Sequence, residues 1–249
     1  MKAMIFAAGL GTRLRPLTDS MPKALVPVCG QPLLHHVLER LSAEGFDDFV
    51  VNVHHFPDAI IEYLRQAESL PGRKIAVSDE RDFLRETGGG IRFARPLLEG
   101  GDGFLVHNVD ILSDADLGWF CSAVPDDALA ALLVSERTTK RYLLFDPASM
   151  RLAGWTNIET GEVRSPYKDI DPLKCRMLAY SGIQWVSGGI FQAFDNEKAG
   201  DRFPILDFYL SVCDRYPIYG ICPEKGLRLM DVGKIATLDE AGAFLTSLR

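Results

Sequence analysis

Cysteine is scarce and unpatterned in this sequence. Cys29, Cys121, Cys175, Cys213 and Cys222 are spread over 249 positions, five in all, with no C-x-x-C pair. That argues against a disulfide framework or a zinc knuckle and fits a reducing cytoplasm. No run approaches 18 consecutive apolar residues, so no segment reads as a membrane-spanning helix. The apolar stretch Ala3–Ala8 behind Met1-Lys2 is too short for a signal peptide and runs straight into a Gly- and Arg-containing turn. Positive charge is also in deficit, with 27 Lys and Arg against 34 Asp and Glu and a formal net charge of −7. This disfavours a broad nucleic-acid or anionic-membrane surface, yet a small cluster of Arg and Lys can still hold a phosphate. Gly/Ser-rich linkers, repeats and low-complexity tracts are missing as well, so residues 1–249 read as one domain.

Apolar residues make up 47% of the chain and charged residues 24%, enough for a self-sufficient core at this length. Strand-like and helix-like stretches alternate through the first half. Strands are expected at Ala3–Ala8, Phe49–Val53, Lys74–Ser78 and Gly103–Val109, and helices at Pro32–Glu44, Asp58–Gln66 and Gly89–Leu98. Gly45 stands where the first helix would need its C-cap. This β-α-β order predicts a three-layer, Rossmann-like α/β fold with a mainly parallel mixed sheet and helices on both faces. Right-handed crossovers then put the loops carrying Gly9 and Asp110 on one sheet edge. After Leu117–Cys121 the pattern becomes β-rich: strands at Ala128–Val134 and Tyr142–Phe145, and a hairpin over Met150–Glu162. A polar loop at Arg164–Lys174, a candidate lid, follows. Strands at Ile183–Val186 and Ile218–Ile221 bracket a helix near Pro204–Arg215, and Thr237–Leu248 closes the chain as a helix.

The first strand leads into Ala7-Ala8-Gly9-Leu10-Gly11-Thr12-Arg13-Leu14-Arg15-Pro16-Leu17-Thr18. Small residues let backbone N–H groups converge on an anion. A P-loop would need Gly-Lys-Ser/Thr, and Pro16 comes too soon for a long helix from Gly11. A dinucleotide-binding turn would need glycine where Leu14 stands and an acid at the end of the second strand. That strand instead ends Asn52-Val53-His54-His55. The remaining reading is a loop that wraps a nucleoside triphosphate. Arg13 would neutralise phosphates, and the prolines of Met21-Pro22-Lys23-Ala24-Leu25-Val26-Pro27 would stiffen the segment that aims Lys23. Further on, Asp110 and Asp231 each follow an apolar stretch. Carboxylates at strand ends can share one site although far apart in sequence. His35-His36 and His54-His55 lack metal-ligand spacing and read as packing or surface residues.

Together, Gly9–Thr18 and Pro22–Pro27 resemble the signature of the sugar-1-phosphate nucleotidylyltransferases. Glu86-Thr87-Gly88-Gly89-Gly90-Ile91, Asn108 with Asp110, Ser181-Gly182-Ile183 and Asp231-Val232-Gly233 follow in the expected order. Within the family the sequence is most similar to the N-acetylmuramate 1-phosphate uridylyltransferase branch, with mannose-1-phosphate guanylyltransferase-like proteins as near neighbours. The resemblance implies a nucleotide-binding half at 1–120 and a sugar-phosphate-binding half at 121–249. It implies Mg²⁺ on Asp110 and Asp231, catalysis by Arg13, Lys23 and both aspartates, and acceptor contacts at Ser181 and Gly182. It also implies nucleotide contacts at Ala7, Ala8, Gly9, Gly11, Thr12, Arg13, Lys23, Thr87, Gly88, Gly89 and Asn108. The segment Glu86-Thr87-Gly88-Gly89-Gly90 is expected to precede a helix and expose backbone N–H groups. The implied partners are a nucleoside triphosphate and a sugar 1-phosphate, without nucleic acid or membrane, and the oligomeric state is not legible. Two departures stand out: Val109 where the family commonly has glycine, and Lys234 where it usually has threonine. If that glycine had positive φ, Val109 would be strained. A different class, a non-catalytic nucleotide-sugar sensor on the same fold, is the competing expectation.

Overall fold

The computed structural model describes residues 1–68 and 72–248. The first strand, β1 (Lys2–Phe6), is buried at its centre and stops where Ala7 and Ala8 enter the loop. A tight hairpin of β2 (Pro27–Val28) and β3 (Gln31–Pro32) leads to α1 (Leu33–Ala43), which buries Leu33, Leu34, Val37, Leu38 and Leu41 on one face. Gly45, at φ +85°, ends that helix as the sequence predicts. Next come β4 (Asp48–Val53), α2 (Pro57–Glu68) and β5 (Lys74–Asp79). The helix expected at Gly89–Leu98 begins three residues earlier and is broken in two, α3 (Glu86–Phe93) and α4 (Arg95–Leu98). Pro96 cannot continue the hydrogen-bond ladder, so it sits in the first turn of the second piece.

The next elements are β6 (Gly103–Asn108), β7 (Ile111–Ser113) and α5 (Leu117–Ser122), whose N-cap Asp116 accepts the Trp119 N–H. Strands β8 (Ala130–Ser135), β9 (Arg141–Phe145), β10 (Leu152–Asn157) and β11 (Glu162–Arg164) form the β-rich second half with β12 (Arg176–Ser187). The chain ends through α6 (Ile190–Asn196), α7 (Ile205–Val212), β13 (Ile218–Ile221), β14 (Leu229–Asp231) and α8 (Ile235–Ser247).

Ten strands make one mixed sheet, in the order β11-β10-β9-β12-β6-β1-β4-β5, with β8 beside β12 and β13 beside β8. The run β6-β1-β4-β5 is parallel, which brings the C-terminal ends of β1 and β6 side by side, Phe6 opposite Asn108. β12 runs antiparallel to β6, β8 and β9 and joins this parallel block to the β-rich half. One hydrophobic cluster, containing Ile5, Leu34, Phe49 and Ile183, fills the α1 face. Another, containing Met4, Val106, Phe194 and Tyr209, fills the α7 face. The two-stranded ribbon of β7 and β14 sits outside the main sheet and pairs Asp231 with Ile111. That ribbon brings the two halves of the chain together at the edge where β6 ends.

Candidate active site

A cavity of about 360 Å³ opens at the C-terminal ends of β1 and β6. Ala7, Ala8 and Gly9 form one wall, Asn108, Val109 and Asp110 another, and Lys23, Asn52, Glu86, Thr87 and Pro204 complete the lining. A larger hollow of about 1030 Å³, walled by α1, β7 and the end of α8, includes His107 but none of the expected site residues. Because successive strand residues face opposite ways, His107 points to that side and Asn108 to the cavity.

The loop after β1 is folded back on itself. Gly11 has φ +65°, and a Cβ there would lie 2.8 Å from Thr18 Cγ2 and 3.0 Å from Lys23 Cβ. Thr18 Oγ1 donates to the Gly11 carbonyl at 2.8 Å and fixes that approach. A bare Cα at Gly11 therefore docks the loop against the segment that carries Lys23. Pro22 and a short 3₁₀ turn over Lys23–Leu25 set the direction of the lysine. Its ammonium contacts the carboxylate of Asp110, and both side chains are only 13% exposed. Asp231 joins them through the ribbon, where the Val232 N–H donates to the Asp110 carbonyl at 2.8 Å. Arg13 Nη1 lies 3.8 Å from Asp231 Oδ2, and this pair is about half exposed. Four residues from three distant stretches thus form two ion pairs, Lys23–Asp110 in the cavity wall and Arg13–Asp231 outside its lining.

The donor chemistry suits Mg²⁺. Two carboxylates offer hard oxygen ligands, and Mg²⁺ takes one or two of these with phosphate oxygens and water completing its shell. Among the described residues no group of three or more His, Cys, Asp or Glu is arranged to hold an ion. Val109 keeps a negative φ, so its side chain at the family's glycine position is accommodated without backbone strain. Where Lys234 replaces threonine it stands at the N-terminus of α8, and Thr237 Oγ1 donates to the Lys234 carbonyl at 2.8 Å.

Several expected contacts fall elsewhere. Gly88 and Gly89 lie inside α3, and both their N–H groups donate to the Phe203 carbonyl, at 2.8 and 3.2 Å. These N–H groups are consequently not exposed to an anion; the glycines let α3 press against residues 201–203. Thr87 does line the cavity, and its Oγ1 accepts the Ile205 N–H at 2.8 Å, which caps α7. Thr12 is exposed and lies off the cavity. Ser181 is fully buried with no hydrogen-bond partner for its hydroxyl, and it lies off the cavity lining. Gly182, at φ +74°, fits beneath the site: a Cβ there would lie 2.8 Å from Ile111 Cγ1 and 3.0 Å from Asn108 Nδ2. The Arg164–Lys174 segment is anchored by Arg164–Asp207 at 2.9 Å and by Ser165 Oγ donating to the Ala153 carbonyl at 2.6 Å. The histidine pairs make backbone contacts: His36 with the Val28 carbonyl, His54 with the Glu80 carbonyl and His55 with the Thr18 carbonyl.

Three residues at the site, Asn52, Glu80 and Glu86, are not among the contacts the sequence leads one to expect, although Glu86 belongs to the quoted motif. Asn52 accepts the Ala7 N–H at 2.8 Å and donates to Glu80 Oε1 at 2.8 Å. Glu80 is completely buried. Burial raises its carboxyl above the ordinary carboxylate range, opposed by the hydrogen bonds from Asn52 and the Arg85 backbone. The available signal was an asparagine inside the otherwise apolar run Phe49–Val53. Glu86 lines the cavity with φ +59°, a backbone conformation that costs a non-glycine residue free energy, and pairs with Arg202 at 3.1 Å. Replacement Asn52→Leu removes the partners of both the Ala7 N–H and Glu80. It is expected to lower stability by about 2 kcal/mol, measurable as a lower urea midpoint. An unchanged midpoint would show that the network contributes nothing.

Comparison with known proteins matches residues 2–142 to the model of a family described as nucleotidyl transferase, more than half of the chain. The chain belongs to the nucleotidyl transferase family. Among curated relatives, N-acetylmuramate alpha-1-phosphate uridylyltransferase of Caulobacter vibrioides is 48% identical over 137 residues, 54% of each chain. Mannose-1-phosphate guanylyltransferase 1 of Arabidopsis thaliana is 40% identical over 119 residues, 47% of this chain and 33% of the relative. The matched stretch thus spans about half, or less, of these relatives' length. Solved structures share the nucleotidyl transferase architecture over nearly the whole chain. HddC from Yersinia pseudotuberculosis, solved with GMP-PN, superposes with a TM-score of 0.74 at 19% identity, covering 98% of this chain and 99% of its own. UDP-glucose pyrophosphorylase from Acinetobacter baumanii gives 0.73 at 18%, covering 99% and 97%. At such identity these two speak for the fold alone. Among the described residues no helix of this nucleotidyl transferase is long and apolar enough to cross a membrane.

Proposed function

We propose that the protein transfers a nucleotidyl group from a nucleoside triphosphate to a sugar 1-phosphate, giving a nucleotide sugar and pyrophosphate. The observation that carries this reading is the Lys23–Asp110 contact in a cavity walled by Ala7–Gly9 and Asn108, with the strand of Asp231 tied to Asp110 by the Val232 N–H. Uridylyl transfer to N-acetylmuramate 1-phosphate is the specific reaction we infer, on the strength of the 48% identical relative of that name. A cytoplasmic role in cell-wall sugar recycling follows from the same likeness and suits five free thiols.

The attacking group is already an anionic phosphate, so the chain needs no nucleophile of its own. Its task is alignment and charge neutralisation. The small residues Ala7–Gly9 leave room for phosphates to approach the backbone, and Asn108 stands between this wall and the acceptor side. Lys23 neutralises charge at the α-phosphate, and Arg13 holds the departing pyrophosphate. Asp110 and Asp231 would hold Mg²⁺, which would supply charge stabilisation to the transferring phosphate. Gly182, against Asn108, lets the β12 backbone reach the acceptor.

The test is a matrix of four nucleoside triphosphates against several sugar 1-phosphates, with released pyrophosphate as readout. Strongest release with UTP and N-acetylmuramate 1-phosphate is expected. Release with GTP and mannose 1-phosphate would reassign the substrates, in line with the 40% identical relatives. Silence across the matrix together with tight nucleotide-sugar binding would make the protein a sensor.

A further inference from the structure

We propose that the free protein holds its own metal site shut with Lys23, and that the incoming triphosphate opens it. The inference rests on the nucleotidyl-transfer reading above and concerns the order in which its site assembles. Lys23 and Asp110 are in contact and largely shielded from water, at 13% exposure each. Asp231 is restrained far less, with Arg13 at 3.8 Å and both side chains about half exposed. One of the two aspartates is therefore occupied by a protein cation, and the other remains open to solvent.

The lysine is not placed there by chance rotation of a long side chain. Pro22 and the 3₁₀ turn fix its backbone, and the positive-φ Gly11 packs against its Cβ. A carboxylate already in contact with an ammonium has little net charge to offer a dication. Two cations crowded on one carboxylate also repel, more strongly in a shielded position than in water. The four charged side chains sum to zero, so a dication alone would leave the site with uncompensated positive charge. A triphosphate changes this balance, because its oxygens carry more negative charge than one aspartate and compete for the same ammonium. Once Lys23 moves to the phosphates, Asp110 is released as those phosphates complete an oxygen donor set. Nucleotide and divalent cation should thus strengthen each other's binding by the same factor.

The test is Mn²⁺ binding to the whole chain without nucleotide, followed by the electron paramagnetic resonance signal of free Mn²⁺. Lys23→Met and Lys23→Gln should each bind Mn²⁺ roughly tenfold more tightly than the unmodified chain, the scale of removing one nearby charge from a shielded site. Lys23→Arg should not, since it keeps the cation. Adding Asp110→Asn to Lys23→Met should abolish the gain, and UTP should narrow the gap between Lys23→Met and the unmodified chain. Unchanged or weaker Mn²⁺ binding in both neutral variants, each with a native circular dichroism spectrum, overturns the lock. It leaves nucleotidyl transfer standing, because that is judged by pyrophosphate release. A gain in Mn²⁺ affinity that survives Asp110→Asn also overturns it, by placing the ion elsewhere.

Discussion

Lys23→Ala and Asp110→Ala are each expected to reduce the turnover of nucleotidyl transfer by roughly 10²-fold or more, the scale of losing one preorganised electrostatic stabiliser. Both side chains are only 13% exposed, so the charge each contributes is poorly screened by solvent. Asp231→Ala should act in the same way if it supplies the second metal ligand proposed above. The loss should appear in kcat at saturating substrate, because the negative charge that Lys23, and the cation proposed to sit on the aspartates, would oppose grows as the α-phosphorus is attacked. Asp110→Asn separates charge from shape: it preserves size and should lose nearly as much as Asp110→Ala. Arg13→Ala should cost less and depend more on ionic strength, since Arg13 and Asp231 stand about half in water. Initial rates of pyrophosphate release measure all of these. Near-normal turnover in any one variant would remove that residue from the mechanism.

Stability should fall as pH drops from about 6.5 to about 4, and a large share of that fall should belong to His107. This imidazole is 2% exposed, on the face of β6 opposite the cavity, and its Nδ1–H donates to the Asn108 carbonyl at 2.8 Å. Burial lowers its pKa from the ordinary 6.5 to about 4. The unfolded chain takes up this proton near pH 6.5, whereas the folded chain refuses it until about pH 4. Between those values the unfolded state binds more protons, so stability rises with pH, in full above 6.5 and lost below 4. The single residue accounts for roughly 3 kcal/mol over the window. Urea midpoints at pH 7 and pH 4.5 for the unmodified chain and His107→Gln give the comparison. The variant should show a visibly flatter dependence. His35, whose pKa is also lowered chiefly by burial, shifts stability in the same direction in both proteins, so the difference between them isolates His107. Parallel slopes would contradict the assignment. The consequence reaches the site, since His107 holds the carbonyl of a residue that walls the cavity.

Local pattern was enough for the elements whose periodicity is long. The helix expected at Pro32–Glu44 is Leu33–Ala43, because five apolar residues at helical spacing leave one buried face. The hairpin expected over Met150–Glu162 is β10 with β11, closed through a turn at Gly161 with φ +71°. Short elements escaped. β7 and β14 have three residues each and exist only because they pair with one another. β12 runs twelve residues where four were expected, since its polar residues Gln184 and Ser181 are buried among neighbouring strands rather than alternating with solvent. α6 was not foreseen. Gly88 and Gly89 show the limit most clearly: a glycine run reads equally well as an anion cradle or as a close packing contact. Only the position of Phe203 decides for the latter.

The sequence by itself determined the parallel α/β block, the loop that displays Arg13, and the stiffened segment that carries Lys23, because these follow from short-range periodicity, glycine and proline. Tertiary structure decided which partners those side chains meet. Asp110 lies 87 positions from Lys23, and Asp231 lies 121 positions from Asp110. Asn52 and Glu80 acquire a role only when β4 and β5 align behind Ala7. Contacts of that range are set by strand register and by which faces the core buries, and neither is encoded in any one stretch of chain.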